Sequence, residues 1–493
     1  MMSTPDEDKR RDTISRIDKL LKGKKYPEAL ALGIENLKFF PEDPRLNFEV
    51  GRILQIFHKH LESEPFLIRS INTEKPKAEC LNLMGICMME QCRQQEARPY
   101  FEEAVLLEMS HPDYLMNLGV CLLCCGDLTK ASQVLQHAVK LDSTNPHLLR
   151  NLAITHQQLG EVEKALALYE RAHRLLPDHP ETELGLGSLL LKVGNYDRGF
   201  THYLARFKLK KFDYKFLPLP IWEGQPLTGK TIVLTAEQGF GDTIQFIRFA
   251  KPLIAEAKCV AFLCPSKLED LFSHLDYELT LIPANASNIQ AEFQTPLLSI
   301  PAFTAPQKIT IPDAKGYLSL PQAPKDHFTK EALSKAHLNI GIAWAGNPAN
   351  ELDAQRSIHL EKLLPVINCP HARVFSLQQP QANSPFWQSH PWPKKLRDIS
   401  HETQSFEILA QTMKELDLII TVDSAYAHLG GALNIETWIL LPFSSDWRWG
   451  LDKSDTLWYE TVRLFRQKKR GQWEEVIEEV TTALLKRCKP GPS

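Results

Sequence analysis

The sequence predicts a helical repeat solenoid followed by two open parallel α/β sheets, and three observations carry that class. Small residues recur at Gly85, Gly119, Ala153 and Gly187, each preceded by Met or Leu and each 34 residues from the next. After residue 230, short β-branched runs alternate with helical patterns, as in a parallel sheet with crossover helices. Polar clusters at 237–242, 346–356 and 423–428 stop three of those runs, where open α/β sheets carry their ligand loops. A chain of 493 residues also exceeds a single core, and several domains are expected.

Composition excludes several classes. A net charge of −3, with 24% charged and 43% hydrophobic residues, lacks the basic excess of a dedicated nucleic-acid binder. The N-terminal stretch MMSTPDEDKRRD has no apolar core of a signal peptide, and no apolar run approaches the ~20 residues that span a bilayer. The expectation is a cytoplasmic protein with no membrane span and no nucleic-acid partner. The ten cysteines read as free thiols interrupting apolar segments. Cys121, Cys124 and Cys125 form a CxxCC run with no second ligand pair nearby, so they read as core packing, and no metal site is expected.

Taken in order, residues 1–12 read as a disordered tail and 13–213 as the repeat array. Residues 214–325 read as the first α/β half and 326–493 as the second. Twelve residues beyond each repeat marker stand Ala97, Ala131, Ala165 and Gly199, and four further on Phe101, Leu135, Tyr169 and Tyr203. Small residues let paired helices approach, and the large one fills the space beside them. Gly126, Gly160 and Gly194 fall where the first helix of each unit must end and turn, while Cys92 breaks that pattern. Stepping back by 34 residues reaches Gly51 and Ile17, which makes about six units. The pattern resembles the tetratricopeptide repeat, and that resemblance implies a concave groove for a protein or peptide partner.

Residues 207–229 lose helical periodicity and read as a packed linker. The runs TIVLT, KCVAFLC, LTLI and PLLSI then read as strands, with helices starting near Asp242 and Ser266. Residues 301–337 are proline-rich and read as a crossover between the halves. LNIGIAW, RVFSLQ, DLIITVD, TWILLP and VRLF supply the second sheet, and WEEVIEEVTTALLKR a closing helix.

The stretch 231–249, TIVLTAEQGFGDTIQFIRF, reads as strand, tight loop and helix, with Gly239 and Gly241 in the loop and Asp242 at the helix start. Asp242 is open to two readings there, a ligand-facing carboxylate or a helix cap. In ITVDSAYAHLGGALN the strand stops at Asp423, a helix starts near Ser424, and His428 lies one turn on. Such a helix start suits nucleotide phosphates, while a capping serine and a core histidine are the plainer reading. Arg356 ends the loop AWAGNPANELDAQRS as a fixed cation able to hold a diphosphate. The Trp-rich stretch 444–459 reads as a lid or packing wall rather than a sugar platform.

Together EQGFGDTIQFIRF, GIAWAGNP with RS, TVDSAYAHLGGAL and DWRWGLD resemble the bacterial tetratricopeptide-linked relatives of the ADP-heptose:lipopolysaccharide heptosyltransferases, glycosyltransferase family 9, over about residues 222–475. The resemblance implies a GT-B-like pair of Rossmann-like α/β domains and an inverting, metal-independent transferase with no cofactor. By it, Asp242 is the catalytic base. Gly239, Gly241, Asn347, Arg356, Asp423, Ser424 and His428 are implied to bind a nucleoside-diphosphate sugar. Ser424-Ala425 departs from the family's Thr-Gly, where a methyl group replaces a hydrogen. The architecture is also similar to the O-linked N-acetylglucosamine transferases. The implied function is transfer of a sugar, heptose or hexose, to an acceptor hydroxyl, with the repeats recruiting a protein. A scaffold that kept only the transferase fold is the rival, and a dinucleotide oxidoreductase is disfavoured because position 244 is Ile rather than a third glycine.

Overall fold

The computed structural model describes residues 5–488 apart from 74, 213, 215, 287–288, 305–310, 322–332, 334–336, 351–352 and 381–391. The chain divides after Thr182 into two compact units.

The first unit is a run of consecutive helices: α1 (Pro5–Lys22), α2 (Tyr26–Leu37), α3 (Pro44–Ile56), α4 (His60–Ile71), α5 (Ala78–Glu90), α6 (Gln94–Leu107), α7 (Pro112–Cys124), α8 (Leu128–Leu141), α9 (Pro146–Gln158) and α10 (Val162–Leu175). Pro44, Pro112 and Pro146 open their helices, where no backbone N–H is required. The repeat markers lie on the first helix of each pair and do what their size allows. A Cβ on Gly85 would stand 2.6 Å from the Phe101 ring, and one on Gly119 would stand 2.5 Å from Leu135. Ala97, Ala131 and Ala165 are fully buried beside these contacts.

The turns between paired helices repeat more strictly than the residues in them. Lys24, His58 and Cys92 have φ of 56°, 56° and 58°, and Gly126, Gly160 and Gly194 have 81°, 81° and 85°. The left-handed conformation therefore recurs every 34 residues through six turns, including those where no glycine supplies it. Cys92 breaks the glycine pattern without breaking the backbone pattern. At the N-terminus helix replaces the expected tail from Pro5 onward. Arg10 Nη1 donates to Asp43 Oδ2 at 3.0 Å, and Ile17 is fully buried with Ala29, Leu46 and Ile53, which ties these turns down. Residues 1–4 of that tail lie outside the described residues.

The second unit begins within α11 (Pro180–Lys192) and continues with α12 (Tyr196–Tyr203). The repeat array was expected to run to residue 213, but the division falls at 182 because this last pair shares the α/β core. Leu191, Phe200 and Tyr203 are buried with Ile232, Phe246 and Trp447. Beyond the pair, Arg206 is buried and paired to Glu237, with Nε–Oε2 at 2.7 Å and Nη2–Oε1 at 2.8 Å. This bidentate pair pins the linker to the loop after the first strand.

Two all-parallel sheets follow. The first has β1 (Thr231–Thr235), β2 (Cys259–Cys264), β3 (Thr280–Pro283) and β4 (Phe293–Pro296) in the order β3-β2-β1-β4. The second has β5 (Leu338–Ala343), β6 (Ala372–Ser376), β7 (Leu396–Asp398), β8 (Leu418–Val422), β9 (Thr437–Leu441) and β10 (Val462–Arg466) in the order β10-β9-β8-β5-β6-β7. PLLSI is not a strand. The ladder uses Phe293–Pro296 just before it, and the apolar run itself forms a 3-10 turn and short helix that bury Leu297, Leu298 and Ile300. Strand β7 carries too little apolar pattern to be predicted. One core joins residues of both sheets, and a second, on Ile340, Val374 and Trp438, is closed by the final helix Glu474–Arg487 through Val476, Ile477 and Val480.

The expected 301–337 crossover is described only in part. Within it Tyr317 is buried, and its N–H donates to the Ala432 carbonyl at 2.9 Å, so this linker is packed. In each sheet the strand order reverses beside the first strand, between β1 and β4 and between β5 and β8. The loops after β1, β5 and β8 hold the three polar clusters, so each cluster sits at a topological switch point.

Candidate functional site

Asp242 lies in the first turn of the short helix Phe240–Phe246 that follows β1. Its Oδ2 accepts from Gly239 N–H at 2.9 Å, so the carboxylate caps its own helix. Its Oδ1 accepts from Arg448 Nη2. Both oxygens are engaged within the protein, and the side chain remains 20% exposed. Gly239 is exposed and lines a cavity of about 570 Å³ with Thr235, Gln238, Leu263 and Tyr214 at the carboxyl end of the first sheet.

Gly241 brings the two halves of this unit together. A Cβ there would stand 2.9 Å from His428 Cδ2 and 3.3 Å from Ala425 Cα. Ser424 occupies the cap position of the helix Ala425–Ala432, yet its hydroxyl does not cap. It shares a 3.1 Å hydrogen bond with Thr421 Oγ1 instead.

His428 is buried, shares a 3.1 Å hydrogen bond with Tyr459 Oη through Nδ1, and stacks on Trp449 at 5.4 Å. Burial first, then Arg448, Arg248 and Arg356, hold its pKa well below the ordinary histidine value, so the ring is neutral. Asp423 is part-buried. Burial and the Asp446 carboxylate push its pKa up to about 6, against the pull of Arg356 and Arg448. Arg356 donates from Nε to Asp353 Oδ1 at 3.1 Å, and its guanidinium lies over Gly346, where a Cβ would meet Nη2 at 2.5 Å.

Asp242, Arg356, Asp423 and His428 thus form one electrostatic cluster with Gly241 and Ser424 beside them. Asn347 is not shown in it. It is exposed, and its Oδ1 accepts from Ala349 N–H at 3.0 Å in a local turn.

The residue that sequence reasoning missed is Arg448. Its side chain is 5% exposed and donates to Asp242, to Asp446 Oδ1 at 2.9 Å and to Gln245 Oε1 at 2.7 Å, over the Trp447 ring at 4.5 Å. The available signal was a lone Arg between two tryptophans in DWRWGLD. That stretch is a packing wall, with Trp447, Trp449 and Trp458 all buried. Arg248 was missed as well. It is fully buried between the Tyr317 and Tyr459 rings, each 4.5 Å away, and donates to Tyr317 Oη at 3.0 Å and to the Trp458 carbonyl at 2.8 Å.

Residues 93–146 and 146–179 each match a tetratricopeptide repeat family. The N-terminal repeats are tetratricopeptide repeats. Protein FlbA of Caulobacter vibrioides is 24% identical over 341 residues, an alignment that covers 62% of this chain and 56% of FlbA. The chain thus spans little more than half the length of that curated relative. Solved structures with similar chains include YrrB, a tetratricopeptide protein, at 19% identity and a TM-score of 0.32, covering 34% of this chain and 88% of that one. Residues 41 to the end of MamA from Desulfovibrio magneticus RS-1 align at 19% identity, with a TM-score of 0.31 and 34% and 95% coverage. The pilF structure from Pseudomonas aeruginosa aligns at 16% identity, with a TM-score of 0.37 and 42% and 95% coverage.

Within the tetratricopeptide repeats, Pro44, Arg45, Phe48, Lys75 and Lys77 line a cavity of about 610 Å³. Asn117 Nδ2 donates to Asn82 Oδ1 at 2.9 Å, which links α7 to α5. Tetratricopeptide repeats suggest a protein partner for this unit. No helix among the described residues is long and apolar enough to cross a membrane.

Proposed function

We propose that the α/β unit is a GT-B-type glycosyltransferase that moves a sugar from a nucleoside diphosphate to an acceptor hydroxyl, with the tetratricopeptide repeats recruiting a protein acceptor or partner. One observation carries the reading: Gly241 packs directly against Ala425 and His428, so the loop after β1 and the helix start after β8 face each other. Arg356, Arg448 and the start of the helix Ala425–Ala432 offer cationic and N–H groups for a departing diphosphate. The cavity beside Gly239 is open to an acceptor. In this scheme a diphosphate draws Arg448 away from Asp242, which frees Oδ1 to take the acceptor's proton.

The rival is a non-catalytic scaffold, and the occupied carboxylate of Asp242 favours it. A cap and an ion pair explain that residue without any chemistry. Titration calorimetry of the full chain with ADP-, GDP-, UDP- and dTDP-linked sugars, in EDTA, separates the two. The transferase reading expects one donor to bind saturably, with binding weakened at least tenfold by Arg356→Ala, and turnover to survive chelation. Absence of saturable binding by every donor supports the scaffold.

A further inference from the structure

The Asp242–Arg448 pair joins two loops, one after β1 and one after β9, and the helices α11 and α12 with the turn behind them touch both. On the first loop, Arg206 forms its bidentate pair with Glu237, and Gln238 Nε2 donates to Tyr203 Oη at 3.3 Å. On the second, the Phe200 and Tyr203 rings meet Trp447 edge-on, with centroids 5.7 and 6.0 Å away, and Lys192 Nζ donates to the Ser445 carbonyl at 2.8 Å. Tyr203 thus holds one loop by its hydroxyl and the other by its ring.

The repeat explains why this ring is available. In earlier units the large residue faces the marker glycine, so a Cβ on Gly85 would meet the Phe101 ring and one on Gly119 the Leu135 side chain. In the last unit a Cβ on Gly187 would meet backbone instead, Tyr203 N at 2.7 Å and Gly199 O at 3.0 Å. Gly199 stands where the other units have Ala97, Ala131 and Ala165, and a Cβ on it would lie 2.8 Å from the Leu191 side chain. Two glycines let α12 lie directly on α11, which fills with backbone the room that a large side chain takes elsewhere. The Tyr203 ring turns to the α/β loops, where it is 6% exposed.

Both contacts act next to the pair. Gln238 has a φ of 60°, a left-handed conformation that a residue other than glycine keeps only where its surroundings impose it. The N–H that follows it, of Gly239, is the one that donates to Asp242 at 2.9 Å. Trp447 carries the Arg448 guanidinium over its ring at 4.5 Å. We propose that Tyr203 is a positioning residue: by holding Gln238 with its hydroxyl and Trp447 with its ring, it sets Asp242 and Arg448 against each other. Its effect on transfer rests on the transferase reading, and its effect on the pair does not.

Tyr203→Phe removes the hydroxyl and keeps the ring. A double-mutant cycle of the full chain with Asp242→Asn, in urea and followed by tryptophan fluorescence, reads the effect on the pair, because all nine tryptophans lie at residue 222 or beyond and report the α/β unit. A hydroxyl that only adds stability does so equally with and without Asp242, as independent sites do. The expected result is a departure from independence of about threefold or more in the unfolding constants, with Asp242→Asn costing less once the hydroxyl is gone. Arg448→Lys takes the place of Asp242→Asn in the cycle should that variant fail to fold. In a parent that turns over a nucleotide sugar, Tyr203→Phe is expected to lower kcat by about tenfold or more with the donor KM unchanged. Additivity in the cycle overturns the proposal, and so does an unchanged kcat in an active parent. Coupling in a chain that binds no donor upholds the positioning role and removes the transferase reading alone.

Discussion

Arg448 reaches across 206 positions of sequence to donate to Asp242, and the two side chains are 5% and 20% exposed. The pair binds the Trp-rich wall of the second half to the helix start of the first. Asp242→Asn keeps an oxygen for the Gly239 cap but leaves Arg448 with Asp446 as its one charged partner. Unfolding free energy in urea is expected to fall by about 1–3 kcal/mol, the range for a buried group that loses its partner. Under the transferase reading, transfer also falls by about 100-fold or more, the scale of general-base loss. A variant as stable as the parent would mean that the pair is screened by solvent and contributes little.

Gly241→Ala tests the contact between the two α/β halves. The added methyl would stand 2.9 Å from His428 Cδ2 and 3.3 Å from the Ala425 backbone, and backbone cannot swing aside as a flexible side chain does. Overpacking of this kind costs about 1–3 kcal/mol, read as a lowered midpoint in urea. Unchanged stability would show that the halves separate at little cost.

Asp423 and His428 give opposite pH signatures. The folded pKa of Asp423, about 6, lies above its unfolded value of 3.8. Between pH 4 and 6 the folded state therefore holds a proton that the unfolded state has released, and stability falls as pH rises through that window. The folded pKa of His428 lies below the unfolded 6.5, so the unfolded state takes up a proton first and stability falls as pH drops below 6.5. Unfolding free energies of the parent minus Asp423→Asn should decline from pH 4 to 6. Those of the parent minus His428→Gln should decline from pH 7 downward. A flat difference in either series removes the corresponding burial effect.

Cys92 tests the turn period. It holds a left-handed φ of 58° at the position where later units use glycine. Cys92→Gly relieves a strain of about 1–2 kcal/mol, partly offset by glycine's greater unfolded-state freedom, so the repeat unit should gain up to about 1 kcal/mol. Gly126→Ala should lose about 1 kcal/mol through φ alone, because no atom lies within 4 Å of the added methyl. Urea melts of both variants should move in opposite directions, and parallel shifts would count against a conformational origin.

Much of this protein was legible in the sequence, because the deciding signals were local. The 34-residue period places small residues where helices meet, and the same period appears in the backbone turns. Among the described residues, nine of the ten strands coincide with or adjoin predicted β-rich runs, since a strand buried in a parallel sheet needs an apolar segment in one piece. Their order also put Asp242, Arg356, Asp423 and His428 in the loops and short helices that follow β1, β5 and β8. What required tertiary structure were the partners of those residues. Arg448 joining Asp242, Tyr459 joining His428 and Arg206 joining Glu237 are contacts between segments distant in sequence, and no periodicity encodes which buried charge meets which. Asn347 shows a purely local contact, its Oδ1 accepting from Ala349 N–H two positions on. The last helix pair follows the repeat in sequence but joins the α/β unit in space, because Phe200 and Tyr203 meet Trp447, an aromatic partner that lies about 250 positions further along the chain.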